Sequence, residues 1–176
     1  MTMTRSAITT REVLLAHAMA VESEAVDRYE ELADQMEVHN NPEVAEFFRK
    51  MAEIEGKHVV NVETLRGDTE LPHISPWDLA WGEDESPEGP QHHDEIHYLM
   101  TPYQAIQMAI RSEQRAADFF AAVVDNPGAS EDVRELAREL AADELEHVRL
   151  LGQWLERHPV PAPDWHEDPD PPMLQE

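Results

Sequence analysis

Two short pieces of the chain, Glu55-Gly56-Lys57-His58 and Glu144-Leu145-Glu146-His147, limit the folds open to it more than any other feature. Each sets a glutamate three residues before a histidine, inside a stretch otherwise patterned as an amphipathic helix. Residues i and i+3 of an α-helix project from the same face, so each pair aims a carboxylate and an imidazole at one point. That face is apolar. Val44, Phe47, Phe48, Met51 and Ile54 precede the first pair, and Val59, Val62 and Leu65 follow it. Val133, Leu136, Ala137 and Leu140 precede the second, and Val148, Leu151 and Trp154 follow it. A carboxylate buried without a partner is strongly unfavourable, so two such interruptions in two apolar stripes call for a common cause. A shared metal centre supplies one.

The flanking sequence sets both pairs in a four-helix scheme. Thr9 followed by Glu12 reads as a capping box, opening a helix to about Met36 or Glu37 whose inward stripe is Leu14, Ala18, Glu22, Ala25, Tyr29, Leu32 and Met36. Asn41 reads as the cap and Pro42 as the first position of a second helix, which Gly67 ends after Arg66. Thr101-Pro102 opens a third, with Ile106, Ala109, Ile110, Glu113, Ala117, Phe120 and Val124 inward. Asn126-Pro127-Gly128 breaks it, and Ser130 caps a fourth that ends near His158. None of the 13 prolines falls inside these helices.

The two halves repeat. Glu22, Ala25-Val26-Asp27 and Tyr29 line up with Glu113, Ala116-Ala117-Asp118 and Phe120, and Glu55 and His58 with Glu144 and His147. The expected fold is therefore all-α: a ferritin-like four-helix bundle of two helical hairpins joined by a long crossover. It should occupy residues 1–158 with the crossover at 67–101, followed by an acidic, proline-rich tail at 159–176. The crossover holds four prolines and nine acidic residues, and the tail six prolines and five acids; neither contains Lys or Arg. Trp77, Leu79 and Trp81 imply that part of the crossover packs as an apolar patch. The tail reads as extended or disordered on its own, with Met173 and Leu174 able to dock on a neighbour.

Each first helix of the repeat contributes one inward glutamate, and each second helix a Glu-x-x-His pair. Glu22, Glu55, His58, Glu113, Glu144 and His147 form the ligand set expected of a di-iron or di-manganese carboxylate bundle. Four carboxylates balance two divalent cations, and an oxygen-rich set with one imidazole per metal favours iron or manganese. Glu55 and Glu144 are expected to bridge, with Glu22 and Glu113 terminal. Glu24 shares a stripe with Arg28 and Glu31 and should face water, as should Glu146. Ala25 and Ala116 are small enough to leave room for metal or substrate. Tyr29 is either a hydrogen-bond partner of a ligating carboxylate or an ordinary core tyrosine. Gly56 either lets helices approach closely or is merely tolerated. His73, His92, His93 and His97 in the crossover are unligated surface histidines or a second metal site.

Composition removes several classes. Formal net charge is −25, with 38 acidic against 13 basic residues, which argues against nucleic acid or an anionic membrane as partner. The acidity either gathers divalent cations or is a generic solubilising surface. With no cysteine there is no disulfide, thiolate catalysis, iron–sulfur cluster or thiolate-bound zinc. No targeting signal is convincing and no apolar run approaches a bilayer span, so the chain reads as a soluble cytoplasmic protein.

These motifs, Glu22-Ser23-x-Ala25-x-x-x-Tyr29, Glu55-x-x-His58, Glu113 and Glu144-x-x-His147, resemble those of the rubrerythrin branch of the ferritin-like superfamily. The resemblance covers roughly residues 10–66 and 102–158. It implies a non-haem di-iron centre that reduces hydrogen peroxide or dioxygen, with electrons from an external donor or from Fe2+, in a homodimer or larger homo-oligomer. Manganese or zinc could substitute for iron. Two departures stand out. A cysteine-free chain cannot hold the rubredoxin domain usual in that branch, and Ala116 stands where the branch has an extra glutamate. The second departure implies a centre closer to the six-ligand ferroxidase site of ferritins and bacterioferritins. The alternatives are an iron-handling or storage protein without peroxidase turnover, and a helical module with a structural metal.

Overall fold

A computed structural model describes residues 7–75, 79 and 96–170. Four helices follow in order: α1 (Arg11–Val38), α2 (Pro42–Arg66), α3 (Pro102–Val124) and α4 (Glu131–Leu155). The described residues contain no strand. α1 packs chiefly on α2, and α3 on α4, as two hairpins. The all-α ferritin-like bundle expected from the repeat is the architecture observed.

The helix ends follow local chemistry. Asn41 caps α2, its side chain accepting from the Val44 N–H at 3.4 Å, with Pro42 next. Gly67 stops α2 at φ 57°, a left-handed conformation that favours glycine. Thr101 caps α3 in a box with Gln104, whose Oε1 accepts from the Thr101 N–H at 2.8 Å. The cap of α1 lies one residue later than Thr9: Thr10 Oγ1 accepts from the Val13 N–H at 3.3 Å. α4 ends at Leu155 rather than near His158, the chain passing into a turn.

Contacts between hairpins fix directions. Tyr29 reaches Glu113 while His17 stacks on Phe119, so α1 runs antiparallel to α3. Phe47 meets Trp154 and His58 meets His147, so α2 runs antiparallel to α4. α2 is consequently parallel to α3, and the link between them must travel the length of the bundle, about 38 Å for a 25-residue helix. Leu71 and Ile74 leave α2 against one end of the core, and Ile96 and Met100 arrive against the other. Leu79 is buried; Trp77 and Trp81 lie outside the described residues.

An asparagine in each hairpin turn grips a segment that is not its own. Asn41 Nδ2 donates to the Met100 carbonyl at 2.8 Å, and Asn126 Nδ2 to the Ile8 carbonyl at 2.9 Å. The segment after α4 is likewise anchored, where the sequence implied a free tail. The Tyr98 hydroxyl donates to Asp168 at 2.6 Å, and Trp165 packs edge-on to His97 with centroids 5.5 Å apart. An indole contact and a partly buried hydrogen bond outweigh the local proline content. Met173 and Leu174 lie outside the described residues.

The apolar core forms two clusters. One gathers the start of α1, the end of α2, the end of α3 and the start of α4, around Leu14, Val62, Phe120 and Val133. The other gathers the opposite ends, around Tyr29, Phe48, Ile106 and Leu151. Between them the four helices present Glu22, Glu55, Glu113 and Glu144, each 2% exposed.

A Cβ at Gly56 would meet nothing within 4 Å, so this glycine serves no close approach. Gly56→Ala is expected to raise stability by about 1 kcal/mol through helix propensity alone. Urea unfolding of the two proteins checks it, and a loss of stability would mean that the residue does something this packing does not reveal.

Candidate metal centre

Each of the six residues singled out by the two repeats points into the layer between the clusters. The glutamates stand on four different helices, so no two are sequence neighbours. What brings them together is the register of the apolar stripes on either side: Ala18 and Ala25 about one turn from Glu22, Met51 and Val62 around Glu55, Ala109 and Ala116 around Glu113, and Leu140 and Leu151 around Glu144, all buried. Burying both flanks of each helix forces the residue between them inward.

The side chains make a closed set of contacts. His58 Nδ1 lies 3.5 Å from Glu22 Oε2 and 3.9 Å from Glu144 Oε1. His147 Nδ1 lies 3.0 Å from Glu113 Oε2 and 3.7 Å from Glu55 Oε1. The two imidazole centroids are 4.6 Å apart. Three overlapping groups each have their ligand atoms within 4.8 Å of one another: Glu22, His58 and Glu144; Glu113, Glu144 and His147; and Glu55, His58 and His147. Glu144 joins the first two, and Glu55 stands with both histidines.

Electrostatics shows what such a layer lacks. Burial pushes the Glu144 carboxyl well above its ordinary range, and the charges of Glu22, Glu113 and Glu55 push it further. Burial opposes the His58 cation, but its hydrogen bond to Glu22 and the charges of Glu22, Glu113 and Asp143 outweigh that and raise its pKa. In both groups the shift favours the protonated form, which adds the positive charge the layer lacks. A set of hard carboxylate oxygens completed by imidazole nitrogens, short of cations and shielded from water, fits divalent transition metals.

Tyr29 settles into both of the roles open to it. Its ring stacks on Phe48 in the core, and its hydroxyl donates to Glu113 Oε1 at 3.0 Å. Glu113 thus has one oxygen held by a phenol and the other facing His147, which fixes the plane of the carboxylate. Ala25 and Ala116 are buried beside the layer. Glu146 is exposed and paired with Arg149 at 2.6 Å, clear of the site.

Arg28 differs from expectation. It does not extend to water with Glu24 and Glu31 but turns to Ser112, its Nη1 donating to the buried Oγ at 2.7 Å. Of that stripe Glu31 is exposed, while Glu24, expected to face water, and Arg28 are half-buried. Arg28–Ser112 and Tyr29–Glu113 are adjacent rungs between α1 and α3 at the level of the site. An arginine's long apolar stem lets its head reach a partner that helical phase alone does not indicate, and nothing in the sequence marks Ser112 as that partner. His17 is fully buried against Phe119, with Nδ1 2.8 Å from the Val13 carbonyl and its pKa lowered by burial; it belongs to the core. Of the crossover histidines, His73 is exposed and His97 packs on Tyr98 and Trp165, while His92 and His93 lie outside the described residues.

Comparison with known proteins meets the two halves separately. The rubrerythrin family profile matches residues 13–81, and that of the ferritin-like domain matches residues 102–173. A crystal structure of an uncharacterized conserved protein from Magnetospirillum magnetotacticum is similar, with 38% identity and a TM-score of 0.66, over 87% of this chain and 98% of that one. No curated protein sequence matches.

Proposed function

This chain belongs to the rubrerythrin-like branch of the ferritin-like superfamily, and from that premise we propose that it is a non-haem di-iron oxidoreductase of peroxidase or ferroxidase type. One observation carries the reading: four carboxylates and two imidazoles from four helices meet in a single buried layer. Glu22 and His58 would hold one ion, Glu113 and His147 the other, with Glu55 and Glu144 shared. That assignment follows the overlap of the three ligand groups. When bound, a ferrous pair supplies the two electrons that, with two protons, convert hydrogen peroxide to two molecules of water.

The protein's own part is to set charge, orientation and dryness. Four carboxylates match the charge of two divalent cations, so the layer would become neutral once loaded, and loading would remove the bias toward protonation at Glu144 and His58. Tyr29 fixes Glu113 through a hydrogen bond to the oxygen turned away from His147. The apolar clusters above and below keep bulk water from the layer, which strengthens every electrostatic interaction within it. These 176 residues contain no cysteine to hold an iron–sulfur or rubredoxin-type centre, so electrons to restore the ferrous state would reach the layer from outside them.

The test is anaerobic loading with Fe2+ followed by rapid mixing with hydrogen peroxide or with dioxygen. Oxidation faster than that of the same Fe2+ free in buffer is expected with at least one of them. Equal sluggishness with both would overturn the proposal.

A further inference from the structure

α1 lies close along α2, and α3 along α4, but α1 and α3 do not make such a close approach to each other. At the level of the layer long side chains span the gap, from neighbouring residues on each helix. The Tyr29 hydroxyl donates to Glu113 Oε1 at 3.0 Å, and Arg28 Nη1 donates to Ser112 Oγ at 2.7 Å. Ser112 is fully buried, and Arg115, further along α3, donates from Nη2 to the same oxygen at 3.3 Å. Both lone pairs of this hydroxyl thus accept from guanidinium groups, and hydrogen bonds from a charged donor are stronger than neutral ones.

Adjacent positions on a helix project about 100° apart, so the two rungs leave α1, and meet α3, on different bearings. One rung fixes a distance. Two on different bearings also resist rotation of either helix about its axis. Such rotation would swing Glu113 away from Tyr29 and from His147, whose Nδ1 is 3.0 Å from Glu113 Oε2. It would also carry Glu22, about two turns before Tyr29 on the same face of α1, away from His58 Nδ1 at 3.5 Å.

We propose that Arg28 and Ser112 are positioning residues of the metal layer: their rung holds α1 and α3 in the rotation that keeps Tyr29 on Glu113, and so sets the Glu113 carboxylate for a bound ion. They act through Glu113 and not on the ion. The inference rests on the metal-centre reading above.

The probe is Mn2+, titrated into the metal-free full chain by calorimetry, with thermal unfolding of each metal-free variant alongside. Tyr29→Phe is expected to weaken Mn2+ binding about tenfold, and Arg28→Met and Ser112→Ala each about fivefold. Combined with Tyr29→Phe, neither should weaken it further, because all three act through one carboxylate. Independent effects would instead multiply, to about fiftyfold. Substitutions on the two sides of the rung keep the test decisive should one of them fail to fold. A lower Tm with unchanged Mn2+ affinity in Arg28→Met and Ser112→Ala would reduce the rung to a brace of the fold and overturn the inference. So would the fiftyfold loss. Wild-type protein that binds no Mn2+ would instead overturn the metal-centre reading, and this inference with it.

Discussion

Protein isolated from cells without metal supplementation is expected to carry about two metal ions per protomer, chiefly iron, and Glu55→Ala to lose most of that load. Glu55 stands 2% exposed with both histidines, so under the proposed assignment its removal would strip a ligand from each ion. Disturbing even a residue that only orients a ligand commonly weakens metal binding 10–100-fold, and loss of a shared ligand should cost at least about as much. Elemental analysis of the two proteins gives the stoichiometry, and a Mn2+ titration of the metal-free forms gives the affinity. Thermal unfolding gives an independent reading. Metal at a thousandfold excess over its dissociation constant stabilises by about 4 kcal/mol, which in a domain of this size raises Tm by roughly 10 °C. Glu55→Ala should forfeit most of that rise while remaining folded. Full zinc occupancy with no iron would instead favour the structural-module alternative.

The second large effect is a reversal of pH dependence. In the metal-free protein the folded Glu144 keeps its proton to a higher pH than the unfolded chain does, because burial and three neighbouring carboxylates resist its ionisation. Above the unfolded value, about 4.5, the native state therefore binds more protons than the unfolded state, and stability falls as pH rises. His58 adds in the same direction. Its folded pKa is raised, so its contribution is complete below about 6.5 and is lost as pH climbs through the higher folded value. His17, its pKa lowered by burial, opposes this in part, but two groups of the layer act together against one, so metal-free protein should be more stable at pH 5.5 than at pH 7.5. With metal the sign inverts, since protons and cations compete for the same oxygens and nitrogens and higher pH favours the cations. Thermal melts at both pH values, with and without Mn2+, provide the check. Glu144→Gln, neutral at every pH, should flatten the metal-free dependence and largely abolish the metal-bound one. Metal-free protein that gains stability between pH 5.5 and 7.5 would contradict this account.

The bundle and the layer were legible in the sequence for a common reason: both are periodic. Leu14, Ala18, Glu22, Ala25 and Tyr29 fall on one face by helical geometry alone, and the second half repeats the pattern, so inward glutamates are visible as interruptions. The caps at Asn41 and Gly67 were readable because each residue does there what its backbone or side chain does in any helix. What escaped prediction depends on partners far along the chain. Arg28 has the phase of a solvent-facing residue, and only the arrival of Ser112 from α3 draws it inward. Trp165 sits in a proline-rich segment with every local sign of disorder, and its anchor is built from His97 and Tyr98 near the end of the crossover. The one-residue slip from Thr9 to Thr10 has a smaller cause. Two adjacent threonines are equivalent as sequence, and their spacing to the first helical N–H decides between them.

The division of the core into two clusters has a consequence for how the molecule holds together. The buried apolar side chains fall into two clusters, and between them lies a waist of carboxylates whose negative charges oppose one another. Under the proposed reading, cations at the waist would act as a keystone: they would offset the repulsion among the four carboxylates and so tie together the clusters on either side. The layer proposed for chemistry would then also add cohesion to a bundle that folds without metal.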